Sequence, residues 1–575
     1  MSLQLDTGQK ASTNNWDTAF AINFKNANKA IVAQKTSPKG YEGKTAGGGF
    51  GGTPPMDVKG FFGDWQLNGG SGSIVRLKLP FTNNSTITNT NTSQSMNFNG
   101  FAEVEVKLNY LDSEAGGSGA SKTHNGGTNK ALKTRDTSDH PETDPVATIV
   151  SVNLDEAAVK AKIVDDVRDT LKEWLNKNLS SFNHTFSAID VNATADKGEF
   201  QWLMPTKIGY GVSNAVGADV DDYVFGVMAM TEDRKGKNLT YQVSPNIIPD
   251  NCNAGFLISQ ERFMSKIMLP GIKALFKNAD TNDFEVDEDG STITNKNKVT
   301  FQTLQTEKKD GSGTINIDDA SMDKGKFTLK ANATSLTLTM YDIHFPWGED
   351  GGYTVHIDYN ADSSLKMDKN KHFQVKTTSK PYMHVTVTES SGEKWKNIIV
   401  GIVEGIGLAI AGAALGAALG PAAEAAGEGF EAAGSAAADG VEGTTDALDF
   451  GGDFPADDEI DNLDDVNSTE EENASEDVAA GDKEGYVSKF KGFFRRNWRK
   501  LLGMAVGGAV GAVLAKLPDI LEAYSEKDLA KMPTLDEFVD NSVSTTTWPN
   551  QTGYTLESVE LNESLQMGLN VSIKD

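Results

Sequence analysis

The sequence predicts an α+β fold that is mostly β, and three observations predict it. Apolar and polar residues alternate with a period of two over many stretches. Two long segments instead place apolar residues three and four apart. A Gly/Ala-rich tract between 395 and 530 follows neither rule. The order is strands, long helix, strands, long helix, strands, which suggests two similar modules. A chain of 575 residues also exceeds what one compact core usually holds.

Strand signals begin early, and residues 1–150 read as strands and polar loops. Val75, Leu77, Leu79 and Phe81 alternate around Arg76 and Lys78, with Pro80 marking an edge or a strand end. Ala102, Val104, Val106, Leu108 and Tyr110 alternate with Glu103, Glu105, Lys107 and Asn109, so one face is apolar and the other wet. Residues 111–145 are rich in Gly, Ser, Thr and Asp and read as a long flexible loop. Later strands show in Leu336, Leu338 and Met340, in Tyr353, Val355, Ile357 and Tyr359, in Tyr382 to Val387, and in Leu565, Met567, Leu569 and Val571.

The first helix is expected from Asn153 to Asn176. Asn153 and Glu156 have the spacing of an N-cap and its third-position partner. Val164, Val167, Leu171, Trp174 and Leu175 then share one face. The second helix is expected from Ser259 to Lys277, with Phe263, Met264, Ile267, Met268, Ile272, Leu275 and Phe276 on its apolar face. Pro270 lies inside it and should kink or divide it.

The tract at 395–530 has four parts. Ile398 to Leu419 is apolar apart from Glu404 and has about the length that spans a bilayer. Gly412, Gly416 and Gly420 have the spacing of close helix packing. Residues 421–483 hold twenty acids and one lysine, about two thirds of the chain's net charge of -28, and read as disordered. A basic aromatic stretch follows, with Phe493, Phe494, Arg495, Arg496 and Trp498, and then a second uncharged run, Leu501 to Ala515. A buried or soluble hairpin and a membrane-inserting one both fit this pattern. Membrane contact would fall on Ile402, Leu408, Phe493, Phe494, Trp498 and Leu502.

Composition excludes several functions. The strong negative charge argues against nucleic acid and against simple adhesion to anionic membranes. The single Cys252 excludes an internal disulfide framework. The N-terminus shows no basic and apolar signal-peptide pattern, so a cytoplasmic location in the producing cell is expected, and any release would take a non-classical route.

Catalytic motifs fail on spacing. Gly43-Lys44-Thr45 lacks the earlier glycine of a P-loop, since Pro38 stands there, and reads as a loop. No two of the seven histidines have the i, i+4 spacing of a zinc protease, so they read as surface or strand histidines. Asp280, Asp283, Asp287, Glu288, Asp289 and Gly290 read as a solvated turn or a weak cation site. A non-enzyme with no metal and no cofactor other than a bound lipid or fatty acid is therefore expected.

Four patches carry a family resemblance. They are Trp16-Asp17-Thr18-Ala19-Phe20-Ala21-Ile22 with Asn28, Ala30 and Ile31; Phe61-Phe62-Gly63-Asp64-Trp65-Gln66-Leu67 with Ile74 to Pro80; Phe256-Leu257-Ile258-Ser259 with Phe263 and Leu269-Pro270-Gly271-Ile272; and Ser558 to Asn562 with Leu565. Together they resemble the P47 proteins of clostridial toxin gene clusters, members of the tubular lipid-binding (TULIP) superfamily.

The resemblance implies two TULIP-like modules, each a long helix wrapped by a curved antiparallel sheet. Residues 1–250 would form the first, 251–394 with 531–575 the second, and 395–530 a Gly/Ala-rich helical insertion. Leu171, Trp174, Phe263, Met264, Ile267 and Met268 would then line either ordinary core or a lipid groove. The implied function is that of a lipid-binding accessory protein, with toxin or other cluster-encoded proteins as partners. The alternative is a directly membrane-active or insecticidal component acting through 398–515.

Overall fold

The computed structural model describes residues 10–47, 54–112, 128–135, 144–191, 201–214, 217–274, 276–301, 304–307, 314–317, 319–347, 352–367, 373–378, 382–389, 539, 543 and 545–574. The insertion at 395–530, with Ile402, Leu408, Phe493, Phe494, Trp498 and Leu502, lies outside them.

The described chain is mostly β, built from curled antiparallel sheets with few helices. A nine-stranded sheet takes strands between Gly40 and Val191 together with Thr546–Thr547. A fifteen-stranded sheet takes the rest, apart from a small ladder of Leu304–Glu307 with Thr314–Ile317. The larger sheet draws strands from both sides of residue 250: Thr18–Asn23, Pro205–Ser213 and Val224–Thr231 join it beside Ala254–Ile258.

The centre of the larger sheet explains why its sequence reads as apolar runs. Phe20 pairs with Val227 on one side and with Phe256 on the other, and Ile258 pairs onward with Leu565. These strands are covered on both faces, which removes the need for alternation. One face joins a core that runs through both sheets, with Phe20, Ile22, Phe225 and Trp548. The other is capped by the 239–248 segment, through Val243 and Ile247 against Trp16, Ala21 and Met228.

Helix boundaries differ from expectation. Phe24–Gln34 is a helix within the region expected to hold only strands and loops. Asn23 caps it by accepting the Asn26 N–H at 3.1 Å, and Phe24, Ala27, Ala30 and Ile31 face the core. The expected Asn153–Asn176 helix begins as a strand, Ala147–Leu154, which pairs with Gly100–Val106. Asp155 is the true cap, accepting the Ala158 N–H at 2.9 Å. A short helix, Glu156–Lys160, stops before Lys162 at φ 60°, and Val164–Lys177 then carries the apolar face.

The second helix runs unbroken past Pro270. Ser259 caps Gln260–Arg262, a π-helical stretch spans Phe263–Met268, and an α-helical turn closes at Leu269–Ala274. The Leu269 N–H bonds the Met264 carbonyl, so the wider turn precedes the proline and absorbs its missing donor.

Two strand expectations also change. The expected flexible loop at 111–145 contains a strand, Thr128–Thr134, which buries Ala131 and Leu132 between Leu108–Asp112 and Thr185–Val191. Pro80 does not end a strand, because Ile74–Asn89 continues through it. Its carbonyl accepts the Gly63 N–H, so its nitrogen faces the same side. That side is a gap between Gln66–Ser71, which pairs with Ile74–Lys78, and Met56–Phe61, which pairs with Thr86–Asn89. No ladder donor is required there.

Candidate functional site

The predicted groove residues divide between two helices. Leu171 is fully buried where Val164–Lys177 packs against Gly40–Lys44 and Ala147–Leu154. Trp174 is half-buried, its ring 6.0 Å from Tyr41 and 5.9 Å from Phe62. Burial pushes the Tyr41 hydroxyl well above its ordinary range, so it stays protonated and bonds the Val167 carbonyl at 3.3 Å. Phe263, Met264 and Met268 are fully buried on the π-helical stretch, and Ile267 is half-buried. All six belong to, or pack on, the core shared by the two sheets.

The four resemblance patches converge. Trp16–Ile22 and Phe256–Ile258 are adjacent strands, and Leu565 pairs next to them. Asn28 grips the second patch, accepting the Leu67 N–H at 2.6 Å and donating to the Leu67 carbonyl at 3.1 Å. Asp17 is buried and accepts the Thr231 N–H at 2.8 Å and hydroxyl at 3.0 Å. Arg234 donates to Asp17 at 2.6 Å and also pairs with Glu261. Arg262 donates to Glu232 at 2.5 Å and lies 5.2 Å from the Trp202 ring. This charged clamp fixes the start of the second helix to the ends of the central strands.

Motif by motif, the described residues show no nucleotide or metal centre. Gly43 and Lys44 belong to a strand, Gly40–Lys44, and not to the expected loop; Lys44 pairs with Asp57. Asp287 accepts from Ser291 and Thr292, and Asp283 from the Asp280 N–H and Asn297, so these carboxylates shape the turn. Among the described residues no three His, Cys, Asp or Glu side chains converge as metal ligands.

A polar cleft of about 480 Å³ opens on the outer side of the larger sheet. Strand Tyr353–Met367 runs between Leu336–Trp347 and Tyr382–Glu389. Val355, Ile357 and Tyr359 face the core, so His356 and Asp358 face the cleft with His384, Thr386 and Thr388. A β-bulge after Met340 adds Tyr341 and Asp342, the latter at φ 53°. The Tyr341 N–H bonds the Lys326 carbonyl, which brings Lys326 to the rim.

The cleft's hydrogen bonds fix two imidazole orientations. His356 Nδ1 donates to Asp342 Oδ1 at 2.6 Å, leaving Nε2 to face the Thr388 hydroxyl at 3.5 Å. His344 Nδ1 donates to the Asp342 carbonyl at 3.0 Å, and its Nε2 lies 3.2 Å from Ser321 Oγ. Asp358 Oδ1 accepts the Asp342 N–H at 2.8 Å. The sequence contained one signal for this site, the polar residues in counterphase to Val355, Ile357 and Tyr359.

A mostly β chain of curled antiparallel sheets around a shared apolar core, with no metal centre among its described residues, defines the class. The chain belongs to the OrfX-like family, described as Protein OrfX2/OrfX3/P47, whose model matches residues 13–420. It is 32% identical over 296 residues to Protein OrfX3 of Paraclostridium bifermentans, covering 48% of this chain and 57% of that protein. It is 31% identical over 301 residues to Protein OrfX3 of Clostridium botulinum (strain Kyoto / Type A2), covering 48% and 58%. The matched stretch therefore spans just over half the length of these relatives. The crystal structure of P47 of Clostridium botulinum E1 superposes with a TM-score of 0.53 at 12% identity, over 98% of this chain and 100% of that one, and shows the fold.

Proposed function

We propose that this chain is a non-enzymatic, lipid-binding accessory protein of a toxin gene cluster, aiding toxin assembly, protection or delivery. The observation that carries the lipid part is the π-helical stretch Phe263–Met268. It holds Met264 and Met268 fully inside the apolar core, where Met322, Met340 and Met567 are buried too. Methionine is unbranched and adapts its shape to what it packs against. Such an interior repacks around an inserted acyl chain at less strain than one of branched side chains. Two TULIP-like modules, one around each long helix, belong to the same reading. Family membership supports the accessory part, and the failed motif spacings support the absence of catalysis.

Native mass spectrometry and solvent extraction of the purified chain test this. A bound acyl lipid, or uptake of a fluorescent fatty acid, is expected. A clean apo protein without uptake would overturn it.

A second reading rests on sequence: the apolar run from Ile398 to Leu419 and the basic aromatic stretch before Leu501 suit a membrane-active hairpin. Flotation with liposomes and dye release, for the full chain and a version lacking 398–515, distinguish the two. No binding or leakage at neutral or acidic pH rules out insertion.

A further inference from the structure

We infer that the cleft formed by Lys326, Tyr341, Asp342, His356, Asp358 and His384 binds a neutral, polyhydroxylated ligand: a carbohydrate. This site lies on the outer side of the larger sheet and is independent of any lipid held in the core.

About 480 Å³ falls within the range of small-molecule sites, and all the lining side chains but Lys326 are presented by a three-strand ladder. The local fold is adjusted at this place: the β-bulge turns both of its residues, Tyr341 and Asp342, into the cleft. Bulges re-aim side chains in this manner beside functional sites.

Chemistry then narrows the ligand. An acyl chain or other apolar ligand would desolvate the polar lining, two carboxylates, two imidazoles and a lysine, and offer no hydrogen bond to the atoms that the protein leaves facing the cleft. An anion would meet Asp342 and Asp358, in a chain of net charge -28. A small cation would meet Lys326, and each aspartate has already committed one oxygen to the protein, Asp342 to His356 and Asp358 to the Asp342 N–H. Among the described residues no three His, Cys, Asp or Glu side chains converge here as metal ligands.

A sugar satisfies all of these constraints. Each ring hydroxyl both donates and accepts, as the lining requires: carboxylates accept, Lys326 donates, and imidazoles and threonine hydroxyls do both. Tyr341 is 48% exposed and Tyr382, one alternation beyond His384 on the same strand face, is 56% exposed. A phenol ring beside polar side chains offers a flat apolar surface to the C–H face of a pyranose, with its hydroxyl still wet.

Saturation-transfer NMR on the full chain tests the inference. The probes are the methyl glycosides of glucose, galactose and mannose, together with N-acetylglucosamine and maltotriose. At least one should receive saturation, with a Kd on the order of 1 mM or tighter. Tyr341→Ala, His384→Ala and Thr386→Val should each weaken it by about tenfold. These side chains are exposed or half-exposed on the sheet surface, and an unchanged Tm would confirm that each variant folds. No transfer to any probe overturns the inference, as does transfer that the three variants leave unchanged. Binding of inorganic phosphate or of Zn²⁺ at these residues, read by imidazole shifts, would also overturn it.

Discussion

Asp17 and Arg234, 217 positions apart, meet at 2.6 Å with the aspartate almost wholly buried. Asp17 thereby joins three elements: the strand that begins at Thr18, the strand ending at Thr231, and the helix whose Glu261 shares Arg234. Asp17→Ala removes the acceptor of a buried N–H and leaves Arg234 with Glu261 alone. Loss of one partner from a buried pair costs ~3–5 kcal/mol. Arg234 is partly solvated, so about 2–3 kcal/mol is expected here. Urea unfolding of the variant should show this loss with an unchanged m-value.

Much of this architecture was legible in the sequence. Alternation located the strands around Val104 and Val355, where one face packs on the core and the other meets water. Leu565, Met567 and Leu569 alternate as well, because the residue between the first two on the strand's other face is Gln566, buried but polar. The second helix was legible too, because Ser259 is a true cap and the apolar face persists through Pro270. The misses have physical causes. The Phe24–Gln34 helix follows directly on an apolar strand, so its own period is masked. The capping spacing at Asn153 lost to strand pairing with Phe101, a long-range competitor invisible locally. Beyond the counterphase residues of one strand, the polar cleft left no local signal, because three strands and a turn supply it, with partners such as Asp342 and His384 far apart in the chain.

His184 makes stability depend on pH. It is fully buried, its Nδ1 is 2.5 Å from Thr36 Oγ1, and its ring lies 5.8 Å from that of Trp65. Burial disfavours the charged imidazolium and pushes its pKa down to about 4. The unfolded chain titrates near ~6.5. Between these values the unfolded state binds the extra proton, so stability falls as pH drops through that window and falls no further below it. The full loss is on the order of 3 kcal/mol. Urea titrations at pH 7 and pH 4.5 should show His184→Gln losing less stability than the parent by about that amount.

Cys252 should be slow to react. Burial pushes its thiol up to about 11, and the carboxylates of Glu557 and Asp250 add to this. The thiolate is the reactive form, so near pH 8 its population is about a hundredfold below that of an unperturbed thiol. As the single cysteine, it gives an unambiguous readout. Alkylation by iodoacetamide should be slow in the native chain and fast in urea.

Two positions on neighbouring helices separate core packing from surface. Leu171 is fully buried between its helix and the nine-stranded sheet, whereas Val159, on Glu156–Lys160, is 54% exposed. Leu171→Ala deletes buried methyl groups and leaves a cavity, which costs ~2–5 kcal/mol according to how far the surroundings relax. Val159→Ala removes little buried surface and replaces a β-branched residue by the best helix former, so its effect should stay within about 0.5 kcal/mol. Comparing the two also probes the first helix as a lipid wall. If Leu171 lines a groove that acyl chains enter, the alanine variant's cost should shrink when excess fatty acid is added, because ligand fills the void. If Leu171 is ordinary packed core, thermal unfolding with and without fatty acid should show the same loss.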